Sequence, residues 1–183
     1  NIFTNTSHRY RVILKFVQLL HRAMDKLSAL LSSEHGKTLP DAEGDIIRGL
    51  EVAAFCIGAP HLLKGEFTDS AGPGIDMYSM RQPLGVVGCI TAFNFPMAVF
   101  AWNFCLASVC GNSIIWKPSP HATGCADAIK KIWDKVAGDH KELVLILNGG
   151  NEEATALCKD SNIPLISATG STQMGKELAP LVS

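Results

Sequence analysis

After residue 84 the chain alternates short apolar runs with helical segments, an order that few folds accommodate. VVGCIT, residues 86–91, is rich in β-branched side chains; FNFP breaks it, and Pro96 stands where the first turn of a helix accepts proline. The unit repeats as strand SIIWK (113–117), helix 121–137, strand LVLIL (143–147), the turn NGG, helix 151–159 and strand PLISAT (164–169), with a last helix starting inside ATGSTQMGKEL (168–178). Strands that alternate with helices predict an α/β fold, a parallel sheet with right-handed crossovers. We read residues 82–183 as a Rossmann-like mononucleotide-binding unit.

Residues 1–81 read as a helical layer and connecting segment of the same domain. Ile13, Phe16, Val17, Leu20, Met24, Leu27 and Leu31 recur at helical spacing, which predicts one long amphipathic helix ending near Gly36. DAEGDIIRGLEVAAFCIG, residues 41–58, predicts a second helix with an acidic first turn, and the polar stretch KGEFTDSAGPGIDMYSMRQ connects it to the strands. The most apolar segment, PMAVFAWNFCLASVC (96–110), is shorter than the ~20 residues of a membrane span and carries Asn103 and Ser108, so it reads as a buried helix.

A hydrophobic content of 47% excludes disorder, and a net charge of −1 gives no electrostatic case for nucleic acid or a membrane surface. Small molecules and other subunits are the expected partners. Six cysteines without CxxC spacing, mostly inside apolar runs, read as reduced thiols. That implies a cytoplasmic compartment, or the mitochondrial matrix in a eukaryote. The opening NIFTNTSHRYR has neither an initiator Met nor a signal-type stretch, and the chain stops at LVS within a helical pattern. Both ends read as cut, which marks a fragment.

In parallel sheets ligands lie beyond the carboxyl ends of the strands, where this chain has TAFNFP, KPSP, NGG and TGSTQMG. Gly170, Gly175 and Lys176 match the P-loop pattern GxxxxGK[ST] up to its last position. Glu177 stands there in place of the hydroxyl that would ligate magnesium. A strand-to-helix glycine loop can equally hold a diphosphate through backbone N–H groups and the helix dipole, or simply permit a tight turn. No GxGxxG follows the first strand, and the second ends in Lys117 rather than preceding an acidic ribose ligand. A lysine there can donate to a ribose hydroxyl or to a 2′-phosphate, so NAD and NADP both fit. Asn94 lies between two aromatics before a proline that excludes helix for Phe95. Its amide is either an oxyanion donor or a cap for the following helix.

Together, GVVGCITAFNFP, CGNSIIWKPS and SATGSTQMGKE resemble, in this order and spacing, the NAD(P)-dependent aldehyde dehydrogenase superfamily over nearly the whole chain. The resemblance implies that Gly170, Ser171 and the start of the last helix approach the cofactor diphosphate, which makes the P-loop likeness accidental. It implies that Thr91, Ala92, Phe93 and Lys117 line the nicotinamide-side and adenosine-ribose positions, with Ser119, Gly150 and Met174 completing the cofactor set. Asn94 would help form the oxyanion hole. SSEHGKTLPDAEGDIIRGLEV and DMYSMRQPLGVV resemble the coenzyme A-acylating methylmalonate-semialdehyde dehydrogenases, where Arg48 matches an arginine for the substrate carboxylate. A solvated helix face is the other reading of Arg48. AFNFPMAVFAWNFCLASVCGNSIIWK resembles the α-aminoadipic semialdehyde dehydrogenases instead. Pro120 replaces the glutamate of the common KPSE motif, which leaves the choice between NAD and NADP open.

The family's chemistry needs a cysteine thiolate that attacks the aldehyde, hydride transfer from the thiohemiacetal, and acyl release to water or coenzyme A. None of the six cysteines occupies an exposed, electropositive or helix-terminal setting. The resemblance places the nucleophile and the general-base glutamate in a catalytic domain absent from this chain. It also implies a small aldehyde substrate and a homo-oligomeric parent enzyme. The alternatives are a non-catalytic nucleotide-binding or interaction module, or an inactive truncation product.

Overall fold

The computed structural model describes residues 5–182. Helices α1 (Thr6–Arg22), α2 (Met24–His35) and α3 (Leu39–Gly58) precede a hairpin of β1 (Phe67–Gly72) and β2 (Ile75–Tyr78). The remainder alternates: β3 (Val86–Ile90), α4 (Pro96–Val109), β4 (Ser113–Lys117), α5 (Thr123–Ala137), β5 (Val144–Ile146), α6 (Asn151–Lys159), β6 (Leu165–Ala168) and α7 (Thr172–Leu178). β3 pairs in parallel with β4 and β6, and β4 with β5, in the order β5-β4-β3-β6. The expected parallel α/β sheet is present.

Alternation along β3 sends side chains to two cores. Val87 and Cys89 join a large cluster with α1–α5, whereas Val86 and Ile90 pack with α6 and α7. Gly88 lies on the second face, where an added Cβ would stand 2.5 Å from Ile166 and 3.1 Å from Leu157. The absent side chain lets α6 lie close against the sheet. On the first face an aromatic chain links the helical layer to the sheet. Phe16 of α1 meets Phe104 at 5.3 Å and Trp133 at 5.9 Å, and Phe100 stacks on Trp116 of β4 at 3.8 Å.

Charged side chains from the helical layer close helix ends across that core. Glu34 of α2 accepts the N–H groups of Gly124 and Cys125 at 2.7 Å each, at the start of α5. Asp45 of α3 accepts Ala98 N–H at 2.8 Å, at the start of α4. Arg9 donates to Val109 O at 2.9 Å, at the end of α4. Each charge opposes the partial charge of the helix end it meets.

Three expectations change. The long first helix is two helices, because Ala23 adopts φ −94°, ψ 5° between them. One residue out of line leaves the apolar periodicity intact, but the basic His21 and Arg22 followed by acidic Asp25 suit a helix end and a helix start. The polar connecting stretch is an antiparallel ribbon, with Phe67 opposite Tyr78 and Thr68 opposite Met77. Gly74, at φ +72°, supplies its turn. Helix α3 starts two residues before the expected Asp41, capped by Thr38, whose hydroxyl accepts Asp41 N–H at 3.3 Å.

Candidate functional site

From β3 the chain moves outward through β4 to β5, then returns to place β6 on the other side of β3. The loops after β3 and β6 diverge at this reversal, which opens a crevice at the carboxyl ends of the strands. The cleft there measures about 790 Å³. Thr91, Ala92, Phe93, Asn94, Lys117, Ser119, Gly170, Ser171 and Met174 all line it. Nine of the eleven residues singled out from the sequence therefore converge on one cavity.

Not every one of these side chains remains available to a ligand. Thr91 is buried, its hydroxyl accepting the Trp116 indole N–H at 2.9 Å and its backbone N–H bonded to Lys117 O at 3.2 Å. Phe93 is half exposed, stacked on His35 at 5.4 Å and edge-on to His121 at 6.2 Å. Ser171 caps α7 by accepting Met174 N–H at 3.1 Å, and Ser119 accepts His121 N–H at 3.3 Å. The side chain of Met174 folds over Gly170, where an added Cβ would come within 2.5 Å of the methyl group.

Lys117 is only 5% exposed and donates to Pro118 O at 3.2 Å. Burial pushes its pKa below the ordinary lysine value, and the nearby Glu153 carboxylate opposes that shift. An ammonium has three donors, so this lysine keeps capacity for a ligand hydroxyl or phosphate.

Asn94 does not cap the following helix. The N-cap of α4 is Phe95, without a side-chain cap bond, and the start of the helix is served by Asp45. Asn94 is exposed in the cleft wall, and only its backbone carbonyl is engaged, accepting Lys37 Nζ at 2.7 Å. Its carboxamide makes no hydrogen bond with any described residue and is free to donate.

Two expected residues stand apart. Gly150 does not line the cleft; its N–H is taken by Glu153 at 2.7 Å, which closes the start of α6. Arg48 is exposed on α3, its guanidinium carbon 5.9 Å from the centre of the Phe95 ring, outside the cleft. Asn151, Thr155 and Gln173, none of them expected from the sequence, also line the cleft. Glu177 also faces it, accepting Gln173 Nε2 at 3.0 Å, so a carboxylate borders the cavity. Helical spacing from Gly170 and Ser171 could have found Gln173 and Glu177; no local pattern marks Asn151 or Thr155.

No cysteine is poised as a nucleophile. Burial pushes Cys89 and Cys125 up to about 12 and Cys56 to about 11, and raises Cys105 well above the ordinary thiol value. Cys110 and Cys158 are raised as well, again by burial. Among the described residues there is no cluster that could hold a metal ion, and no helix is long and apolar enough to cross a membrane.

The parallel sheet reverses its strand order at a crevice bordered by a strand-to-helix glycine loop, a buried lysine and a free carboxamide, the position where open α/β sheets take their ligands. The chain belongs to the aldehyde dehydrogenase family, whose profile matches residues 3–183. It is 39% identical to a mitochondrial acylating methylmalonate-semialdehyde dehydrogenase of Arabidopsis thaliana, covering 96% of this chain and 29% of that protein. It is 36% identical to the α-aminoadipic semialdehyde dehydrogenase of Bos taurus, covering 95% and 33%. A Sinorhizobium meliloti 1021 protein assigned as methylmalonate-semialdehyde dehydrogenase and crystallised with NAD superposes with a TM-score of 0.94 at 44% identity, covering 97% of this chain and 36% of that one. The chain thus spans about a third of the length of these relatives. Similarity to both semialdehyde branches accords with the divided resemblance of the sequence.

Proposed function

We propose that the chain is the cofactor-binding part of an NAD(P)-dependent semialdehyde dehydrogenase whose nucleophilic cysteine and general base lie in a further catalytic domain. The observation that carries this reading is the meeting of a free Asn94 carboxamide and the Gly170–Ser171 loop in one cleft, in a chain with no poised thiol. The cleft volume falls within the range of small-molecule and cofactor sites, about 300–1,000 Å³. Gly170 bears no side chain of its own, and with the flexible Met174 side chain turned away from its Cβ position the backbone there can approach a diphosphate. When bound, the cofactor supplies the hydride acceptor. Lys117 and Ser119 would hold a ribose, the 170–171 loop the diphosphate, and Thr91–Phe93 the nicotinamide side. Asn94 Nδ2 would donate to the aldehyde oxygen as negative charge develops on it.

Arg48, beside Phe95 and outside the cofactor cleft, would receive the carboxylate of a carboxylated semialdehyde. The Arabidopsis relative is named as acylating and mitochondrial, which favours acyl transfer, with coenzyme A as the proposed acceptor, and a mitochondrial location beside the cytoplasm. NAD is the first cofactor to test, given the Sinorhizobium complex. A homo-oligomeric enzyme is supported by the β1–β2 ribbon, which exposes apolar side chains on both faces, Phe67 and Tyr78 on one and Ile75 and Met77 on the other. The deciding assay follows reduced-cofactor formation from methylmalonate, malonate and α-aminoadipate semialdehydes. The full-length enzyme should turn over at least one of them and the 183-residue chain none. Turnover by the chain alone that any single cysteine substitution abolishes would overturn the assignment.

A further inference from the structure

Asn94 can act as a donor only if its loop is fixed, yet its own side chain bonds nothing that would fix it. The constraint comes from the short connection between α2 and α3. Gly36, at φ +80°, ends α2, and Thr38 caps α3, so Lys37 is the one residue between two helix termini. Its carbonyl is held by the Ser32 hydroxyl at 2.7 Å. From this anchored backbone the Lys37 side chain, 9% exposed, runs beneath the FNF loop. Its ammonium donates to Asn94 O at 2.7 Å and lies 4.5 Å from the centre of the Phe95 ring.

Asp45 completes the arrangement from α3. It is fully buried; Oδ1 accepts Ala98 N–H at 2.8 Å, while Oδ2 makes no hydrogen bond among the described residues and faces Lys37 Nζ at 3.8 Å. One carboxylate therefore fixes the start of α4 and holds in place the cation that fixes the residues just before it. The pairing is Coulombic, and the short, directed bond of the lysine goes to Asn94. With the carbonyl of Asn94 drawn toward Lys37, the side chain is left to the cleft.

We propose that Lys37, held by Asp45, is a positioning residue for the Asn94 oxyanion donor: it clamps the backbone of the loop so that the carboxamide is presented to the reacting carbonyl. This rests on the semialdehyde dehydrogenase reading above. Oxyanion stabilisation depends on donors preorganised before charge develops, and a displacement of about 1 Å can cost on the order of a hundredfold in rate. Lys37→Met keeps the aliphatic stem and removes the bond. Lys37→Arg keeps a cation that can donate to the same carbonyl.

The test is a double-mutant cycle in the full-length enzyme, read by single-turnover hydride transfer. Lys37→Met should slow this step about tenfold or more, leave the cofactor KM within about twofold, and be rescued in large part by Lys37→Arg. In the Asn94→Ala background the same change should cost almost nothing, because the donor it positions is gone. A purely structural role predicts losses that multiply, and that outcome overturns the proposal. A second measurement does not depend on turnover: amide exchange at Asn94, Phe95, Met97 and Ala98 of the 183-residue chain should accelerate in Lys37→Met. Unchanged exchange overturns the clamp whatever the enzyme does. Absence of turnover in the wild-type enzyme overturns instead the functional reading on which it rests.

Discussion

Replacing Asn94 by alanine separates chemistry from folding, because the structure assigns the residue almost no part in stability. Its side chain is exposed and unbonded among the described residues, and the Lys37 bond goes to a backbone carbonyl that alanine retains. The start of α4, which a capping asparagine would have served, belongs to Asp45. The stability change should therefore stay within about 0.5 kcal/mol, the usual range for a surface substitution. For a chain of this size that is a shift of at most about 2 °C in the melting temperature. Loss of a helix cap would instead cost up to about 2 kcal/mol, or roughly 4–8 °C. The effect on chemistry should be far larger: removing one oxyanion donor lowers the rate about 10²–10³-fold, on the order of 2.7–4 kcal/mol. Thermal melts of the chain, set beside single-turnover hydride transfer in the full-length enzyme, give both numbers. An Asn94→Ala protein that melts several degrees lower but reacts at nearly the wild-type rate would refute the donor assignment.

Other outcomes follow from neighbouring groups. Lys117→Ala should raise the cofactor KM with little change in kcat, because its donor is used in ground and transition states alike; steady-state kinetics at varied cofactor checks this. Arg48→Leu should raise KM for a carboxylated semialdehyde far more than for an uncharged aldehyde, and equal losses would leave Arg48 structural. Stability should fall as pH rises above about 9, since Cys56, Cys89, Cys105 and Cys125 keep protons in the folded chain that the unfolded chain releases. Lys117 acts with the opposite sign just below 10.5, where the unfolded chain is the better proton binder. The buried thiols outnumber the one amine, so urea unfolding under reducing conditions should show lower stability at about pH 10 than at about pH 8, by a few kcal/mol in all; a flat profile contradicts the burial of the thiols.

The doubly wound half was readable because its strands are buried on both faces and appear as apolar runs such as VVGCI and SIIWK. Their loops were readable for the same reason: once the strand ends are known, FNFP, KPS and GSTQMG must share one side of the sheet. The β1–β2 ribbon left no such trace, since both its faces are exposed and FTDSAGPGIDMY carries no two-residue period. Lys37 and Asp45 escaped notice for a different reason. In sequence they belong to an acidic helix start and its approach, whereas their partners Asn94 and Ala98 lie 57 and 53 residues away. The family resemblance implies a cofactor contact for Gly150, but the Glu153 carboxylate claims its N–H before any ligand can.

The proposed dinucleotide site lies at the carboxyl ends of β3, β4 and β6. Its most direct test is to titrate NAD and NADP into the isotope-labelled 183-residue chain and follow the backbone amide resonances. Saturable shifts should appear at residues 91–94, 117–119 and 169–174, while the distant β1–β2 ribbon stays unmoved. Saturable shifts confined to other surfaces, or none at millimolar cofactor, would contradict it.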